Sequence, residues 1–217
     1  MADPKAIVFD LDGTLIHSVP DMHVSLNRVM AAMGRETLSL EVATGFVGNG
    51  VEKLIERSLL ATGVCDDALK QQAIEAFLSD YADQKTVLTR PYPGVVACLT
   101  ALRQQGVSLA ICTNKPQAPA VEICDALNLT HFFDSLRGAL PEVEKKPAPA
   151  SLLAVISELN CETRETLFVG DSLVDFQTAQ NAKVPFRLYT EGYLNAPMPD
   201  MPSAHCFDDW STVRFSL

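Results

Sequence analysis

The chain has 217 residues, 47% of them hydrophobic and 20% charged, with a formal net charge of -10. That is enough apolar material for one sizeable core, or for a core with a smaller attached domain. The negative balance argues against nucleic acid and anionic membrane surfaces as partners, which are held mainly by surplus Lys and Arg, and no apolar run approaches the ~20 residues of a membrane span.

The first residues, Met-Ala-Asp-Pro-Lys, run into a strand without a signal-peptide pattern, so a cytoplasmic protein is expected. Six cysteines (Cys65, Cys98, Cys112, Cys124, Cys161, Cys206) are scattered, with no C-x-x-C pair and no zinc-ligand spacing. Reduced thiols are the expected state.

The stretch Ala6-Ile7-Val8-Phe9-Asp10-Leu11-Asp12-Gly13-Thr14-Leu15 is an apolar run that ends in two carboxylates and a Gly-Thr turn. A short Ile/Val/Phe run of this kind reads as a buried strand of a parallel sheet, at whose C-terminal end open α/β folds collect ligands. Asp10 and Asp12 lie two apart on extended backbone and point to the same side. Two carboxylates so close require a cation, a proton or fixed hydrogen-bond donors.

After Leu15 the pattern turns helical as far as about residue 89. Residues 22–33 carry Leu26, Val29, Met30 and Met33 at helical spacing, with Asp21 as the expected N-cap and Gly34 as the stop. Ser39 opens a short helix ending near Gly45, and Phe46-Val47-Gly48-Asn49-Gly50 breaks the pattern. Helices over 51–61 and 66–81 follow, the second with Leu69, Ile74, Phe77, Leu78 and Tyr81 as its apolar stripe. Four helices with short connections can bury such stripes on one another. Residues 16–89 are therefore expected to form a helical domain inserted into a core made of 1–15 and 90–217.

Tyr92-Pro93-Gly94 marks the return to the core, where strand and helix alternate. Helices are expected over 95–105, 118–128, 150–159 and 173–182, and strands over 107–112, 166–169 and 185–189. Phe132-Phe133-Asp134 begins a loop with room for a very short strand. The Pro-rich residues 196–202 read as a loop or mobile tail, and 208–213 as a closing helical turn. The right-handed crossover rule places the strand ends on one edge, so Asp10, Thr113 and Asp171 should converge. The fold class is α/β, a Rossmann-like parallel sheet with an all-helical insertion.

Four motifs carry a family resemblance. Asp10-Leu11-Asp12-Gly13-Thr14-Leu15 resembles the D-x-D-G-T-L signature of the haloacid dehalogenase-like phosphohydrolases, and Thr113-Asn114-Lys115 resembles their strand-end Thr. Lys146-Pro147-Ala148-Pro149 matches K-P-x-P, its register selecting Lys146 over Lys145, and Gly170-Asp171-Ser172-Leu173-Val174-Asp175 matches G-D-S-x-x-D. The insertion, with Phe46-Val47-Gly48-Asn49-Gly50-Val51 and Glu56-Arg57, looks like the helical cap of the phosphoglycolate phosphatase branch, as do Tyr92-Pro93-Gly94-Val95 and Thr113-Asn114-Lys115-Pro116 in the core.

The resemblance implies a Mg²⁺-dependent phosphomonoester hydrolase whose metal is held by Asp10, Asp171 and the backbone carbonyl of Asp12. It implies Asp10 as nucleophile and Asp12 as general acid and base, with Thr113 and Lys146 on the phosphoryl oxygens and Asp175 supporting Lys146 or the metal's water shell. Asp12 is expected to hold a proton at first, crowding among like charges being the basis for dividing the roles. The aspartate at position 12 favours ester hydrolysis over halide displacement, which needs no acid. Substrate contacts are expected from Thr113, Asn114, Lys146, Gly48 and Asn49, with hinges near 15–18 and 89–92; the Gly48-Asn49-Gly50 turn is equally readable as a tight interhelical connection, and Arg57 as surface.

The partner expected is a small phosphorylated metabolite, 2-phosphoglycolate first, for a monomer or homodimer. Alternatives are a pyrophosphatase, nucleotidase or phosphomutase on the same core, or a non-catalytic phosphate- or metal-binding regulator, which would not need Asp12. Three positions depart from the family pattern. His17 stands where Asp is common, Gly138-Ala139-Leu140 replaces a more acidic loop, and Lys183 replaces a glycine at a helix end, which should reduce local stability rather than affect chemistry.

Overall fold

The computed structural model describes residues 3–194, 196–198 and 201–217. Residues 6–9 form β1 (Ala6–Phe9), whose four side chains are all fully buried. Its neighbours are β4 (Ser108–Pro116) on one side and β6 (Thr166–Gly170) on the other, both parallel to it. Ala6 pairs with Ser108 and Thr166, and Phe9 with Ile111 and Val169. The register therefore brings three strands to one level one or two residues before Asp10, Thr113 and Asp171, with β4 running on through Thr113 to Pro116, beyond the strand 107–112 expected.

The strand period divides the apolar residues between two faces. Ile7, Phe9, Leu109, Ile111, Leu167 and Val169 pack with α5 (Val95–Gln104), α6 (Gln117–Ala126), Trp210 and Phe215. Val8, Ala110, Cys112 and Phe168 pack with α7 (Ala150–Glu158) and α8 (Leu173–Ala182) on the other. The sheet is completed by β5 (Ser135–Ala139), β7 (Phe186–Tyr189) and β8 (Cys206–Phe207), in the order β5-β4-β1-β6-β7-β8 with every pairing parallel. No helix among the described residues is long and apolar enough to cross a membrane.

Helices α1 (Val19–Ala32), α2 (Leu40–Thr44), α3 (Val51–Thr62) and α4 (Asp67–Gln84) bury a cluster of their own around Leu26, Met30, Ile55, Leu59 and Phe77. They join the sheet through an antiparallel pair, β2 (Ile16–His17) and β3 (Arg90–Pro91), with Ile16 opposite Pro91 and His17 opposite Arg90. Both connections thus run side by side.

Several local expectations need correction. Asp21 is not the N-cap of α1: the helix begins earlier, behind Ser18, with Pro20 in the first turn where a missing N–H is tolerated. Asp21 is instead buried, accepting from Leu88 N (2.9 Å), Thr89 N (2.7 Å) and Thr89 Oγ1 (2.7 Å), and so ties α1 to the second connection. Leu78, assigned to the apolar stripe of α4, is 40% exposed, since the buried face runs through Ala73, Phe77 and Tyr81. The very short strand expected in the loop that begins at Phe132 is a five-residue one, β5, at 135–139. The Pro-rich segment is followed by a 3-10 turn (Ser203–His205) and β8; its residues 199–200 lie outside the described ones. Residues 208–213 make the single closing turn expected of them, Val213 N donating to Asp209 O (3.2 Å). The six cysteines are free, and burial pushes the Cys112 thiol up to about 12.

Candidate active site

Asp10, Asp171 and Asp175 converge at the C-terminal edge of the sheet, each offering a carboxylate oxygen within 4.8 Å of the others. All three are buried, with Asp171 and Asp175 at 1% exposure. Each is held by a different element. Asp171 follows β6 and accepts from Thr14 Oγ1 (2.6 Å) and Tyr193 N (2.7 Å). Asp175 sits in the first turn of α8, where Ser172 is the N-cap, and its Oδ2 accepts from Ser172 N (3.1 Å) and Ser172 Oγ (2.5 Å). Its Oδ1 accepts from Lys146 Nζ at 2.6 Å, and the same ammonium lies 2.9 Å from Asp10 Oδ1.

The sequence Asp12-Gly13-Thr14 is shaped by this cluster. Gly13 has φ +92°, and a Cβ there would lie 2.3 Å from Asp171 Oδ2, so only glycine lets the chain turn over the carboxylate. Thr14 can then reach Asp171 from the same turn.

Three carboxylates and one ammonium leave the cluster negative in a buried setting. Burial pushes the Asp10 carboxyl up to about 6, Lys146 pulling it down and Asp175 pushing it up further. Asp171 is raised well above the usual carboxylate range by burial first, then by Asp175 and Asp10, with the Thr14 and Tyr193 hydrogen bonds opposing. Lys146 is raised although burial lowers it, because Asp10 and Asp175 outweigh that penalty. Hard oxygen donors with surplus negative charge are the donor set that suits a divalent cation such as Mg²⁺, and the residues fit one.

Asp12 lies apart from this cluster. Its carboxylate faces Lys115 Nζ at 3.2 and 3.1 Å, and the same ammonium donates to Tyr81 Oη (3.2 Å) of α4. The expectation that Asp12 is crowded by like charge is thus not met: its immediate partner is a cation, and it leaves only its backbone carbonyl for a metal. Lys115 and Tyr81 were not picked out from the sequence. For Lys115 a signal existed, since it is two residues beyond Thr113 on extended backbone and shares its side. Tyr81 read only as part of an apolar stripe.

The other expected residues fall into two groups. Thr113 lines the cavity between sheet edge and helices; its Oγ1 accepts from Lys115 N (3.3 Å), so its hydroxyl proton is free for a ligand. Asn114 also lines it, but its amide is occupied. Oδ1 accepts from Lys146 N (2.8 Å), and Nδ2 donates to Lys146 O (3.1 Å) and Gly48 O (3.3 Å). Asn114 is therefore a clip between β4, the Lys146 loop and the helical insertion rather than a free substrate donor. Gly48 lines the cavity, whereas Asn49 accepts from Arg57 Nη2 (2.9 Å) and Arg57 Nη1 donates to Phe46 O (3.0 Å), which fixes the 46–50 turn. Lys145 is turned outward onto Glu52 (3.0 Å). His17 lies 2.9 Å from the Tyr193 hydroxyl, which also accepts from Ser18 N (2.7 Å) and Val19 N (3.1 Å) at the start of α1.

Known proteins share the sequence and the fold. Residues 7–188 match the family described as haloacid dehalogenase-like hydrolase. A phosphoglycolate phosphatase of Cereibacter sphaeroides is 43% identical over 197 residues, 90% of this chain and 89% of the relative. One from Rhodospirillum rubrum is 35% identical over 215 residues, covering 97% and 89%. The crystal structure of a predicted phosphoglycolate phosphatase from Haemophilus somnus superposes with a TM-score of 0.90 at 29% identity, covering 97% of this chain and 96% of that one. The fold alone is shared with CbbY of Rhodobacter sphaeroides in complex with a xylulose bisphosphate, at a TM-score of 0.77 and 20% identity, covering 96% of each chain.

Proposed function

Since the chain belongs to the haloacid dehalogenase-like hydrolases and is a phosphatase of that family, we propose that it hydrolyses a small phosphomonoester, 2-phosphoglycolate first, through an aspartyl-phosphate on Asp10. The observation that carries this reading is the buried Asp10 carboxylate at the end of β1, aimed at the same edge as Lys146, Thr113 and Asp171. The phosphoglycolate phosphatases at 35–43% identity support the substrate.

With its carboxyl near 6, Asp10 is ionised at neutral pH and available for in-line attack on phosphorus. Lys146, fixed by Asp175, places a permanent positive charge beside the attacking carboxylate, and the Thr113 hydroxyl donates to a phosphoryl oxygen. Asp10, Asp171 and the Asp12 backbone carbonyl would hold Mg²⁺, which when bound supplies further positive charge against the phosphoryl group. In its protonated form Asp12 delivers a proton to the leaving oxygen, and the carboxylate so formed, paired with Lys115, then takes one from the water that cleaves the acyl phosphate. Helices α1–α4 act as a cap that excludes bulk water during these steps, hinged on β2 and β3.

Phosphate release with Mg²⁺ across 2-phosphoglycolate, pyrophosphate, hexose phosphates and nucleoside monophosphates tests the proposal. A clear preference for 2-phosphoglycolate is expected. Preference for pyrophosphate or a nucleotide would overturn the substrate, and turnover of none would overturn catalysis in favour of a binding role.

A further inference from the structure

We infer that Lys115 and Tyr81 form the subsite that selects a carboxylate on the leaving group. The inference rests on the phosphatase reading of the site and concerns what lies beyond the transferred phosphoryl group.

The cavity that Asp10 and Thr113 open into is bounded on its far side by apolar residues, among them Met22, Leu54 and Phe77. A leaving group carrying a negative charge would be desolvated against that wall, which is costly without a counter-charge. Lys115 is the one cationic residue lining this cavity among the described residues. Lys115 is itself paired with Asp12 (3.1 Å), and the other cations nearby face away from this wall: Lys146 is held by Asp10 and Asp175, Lys145 by Glu52, and Arg57 by the 46–50 turn.

Lys115 is only 7% exposed and sits next to Asp12, the group that serves the leaving oxygen. A carboxylate one carbon away from that oxygen would meet the Lys115 ammonium without leaving the cavity. Tyr81 supplies a second donor. Its oxygen accepts from Lys115, so the phenol proton has no acceptor among the described residues and is free for a ligand. The phenol is 5% exposed, and burial raises it, with Lys115 opposing, so it remains a donor at neutral pH. An ammonium and a hydroxyl converging on one polar spot in an apolar wall match the two oxygens of a carboxylate. One donor comes from the sheet and one from α4, so a bound carboxylate would also bridge core and cap.

The test compares two esters in each variant: 2-phosphoglycolate and 2-hydroxyethyl phosphate, its neutral counterpart. Lys115→Met should lower kcat/KM for phosphoglycolate at least ~30-fold more than for hydroxyethyl phosphate, chiefly through KM. Tyr81→Phe, which preserves the ring packing, should lower it ~5-fold more. Equal losses on both esters would overturn the subsite and leave Lys115 as a group that merely holds Asp12. The wild type separates this outcome from failure of the parent reading: if it lacks a preference for phosphoglycolate, the substrate assignment fails before either variant is compared. Should Lys115→Met not fold, the Tyr81→Phe ratio decides alone.

Discussion

Asp10 and Asp12 leave the same strand two residues apart, and each meets a buried lysine, yet the two pairs are built to opposite purposes. Lys146 answers to Asp10 and Asp175, with Asp171 close by, so that side of the site carries a surplus of negative charge. Lys115 faces Asp12 and a neutral phenol, so that side is balanced. Surplus negative charge suits a divalent cation and, with it, a phosphoryl group. A balanced pair with an unused phenol proton suits the organic remainder of a substrate. On the proposed reading, local charge count divides the site into a reacting half and a recognising half.

The largest effect should come from the reacting half. Asp10→Asn keeps the shape and removes the proposed nucleophile, so kcat should fall by at least ~10³-fold with the circular dichroism spectrum unchanged. Turnover within ~10-fold of wild type would remove the aspartyl-phosphate step and, with it, the contrast between the two pairs. Lys146→Met comes next, because it strips the only ammonium from three buried carboxylates. A kcat loss of ~10²–10³-fold and a destabilisation on the order of 3 kcal/mol are expected, read by phosphate release and urea unfolding. If its stability loss were no greater than that of Lys115→Met, the two halves would not differ in charge as argued.

A smaller effect follows from titration. Asp10 titrates near 6 in the fold, raised from 3.8, so between those values the folded chain holds a proton that the unfolded chain has lost. Stability of the metal-free protein should therefore be highest at the acid end of that window and fall as pH rises through it. Asp171 is raised in the same direction and extends the loss to higher pH. Measured in chelator, wild type should lose on the order of 2 kcal/mol relative to Asp10→Asn between about pH 4 and 7. Mg²⁺ should return more stability at pH 7.5 than at pH 5, because more of the cluster is ionised there. An identical pH profile for both proteins would mean that Asp10 carries no burial penalty.

How much of this was legible in the sequence depends on which force placed each residue. The central strands could be read because both faces are covered, leaving runs such as Ile7-Val8-Phe9 and Leu167-Phe168-Val169 that nothing polar interrupts. Edge strand β5, Ser135-Leu136-Arg137-Gly138-Ala139, is half-exposed and carries no such run. Asp10 and Asp171 follow strand ends and Thr113 lies near the end of β4, so parallel register brought them together. Asn114, Asp21 and Tyr193 could not be read that way. Each acts across a long sequence separation, on Gly48, Thr89 and Ser18 respectively, and a polar side chain in one sequence does not announce a distant backbone partner. The acidic Asp21 before a helical run imitates an N-cap, while its actual partners lie more than sixty residues away.

The smallest prediction concerns the helix that presents Asp175. Its first turn is fixed by Ser172 and Asp175, while the residue that caps its end, Lys183, is held at φ 55°, in the left-handed region that a side chain with a Cβ enters at a cost. Lys183→Gly should therefore stabilise the protein by about 0.5–1 kcal/mol, seen as a rise of ~2–3 °C in Tm. Lys183 is exposed and has no part in either ion pair, so kcat and KM should stay at wild-type values. That combination would separate the stability of α8 from the charge arrangement at its start. A change in kcat accompanying the stability gain would show that the end of the helix is coupled to Asp175 and Lys146, and the reacting half would then extend along α8 instead of stopping at its first turn.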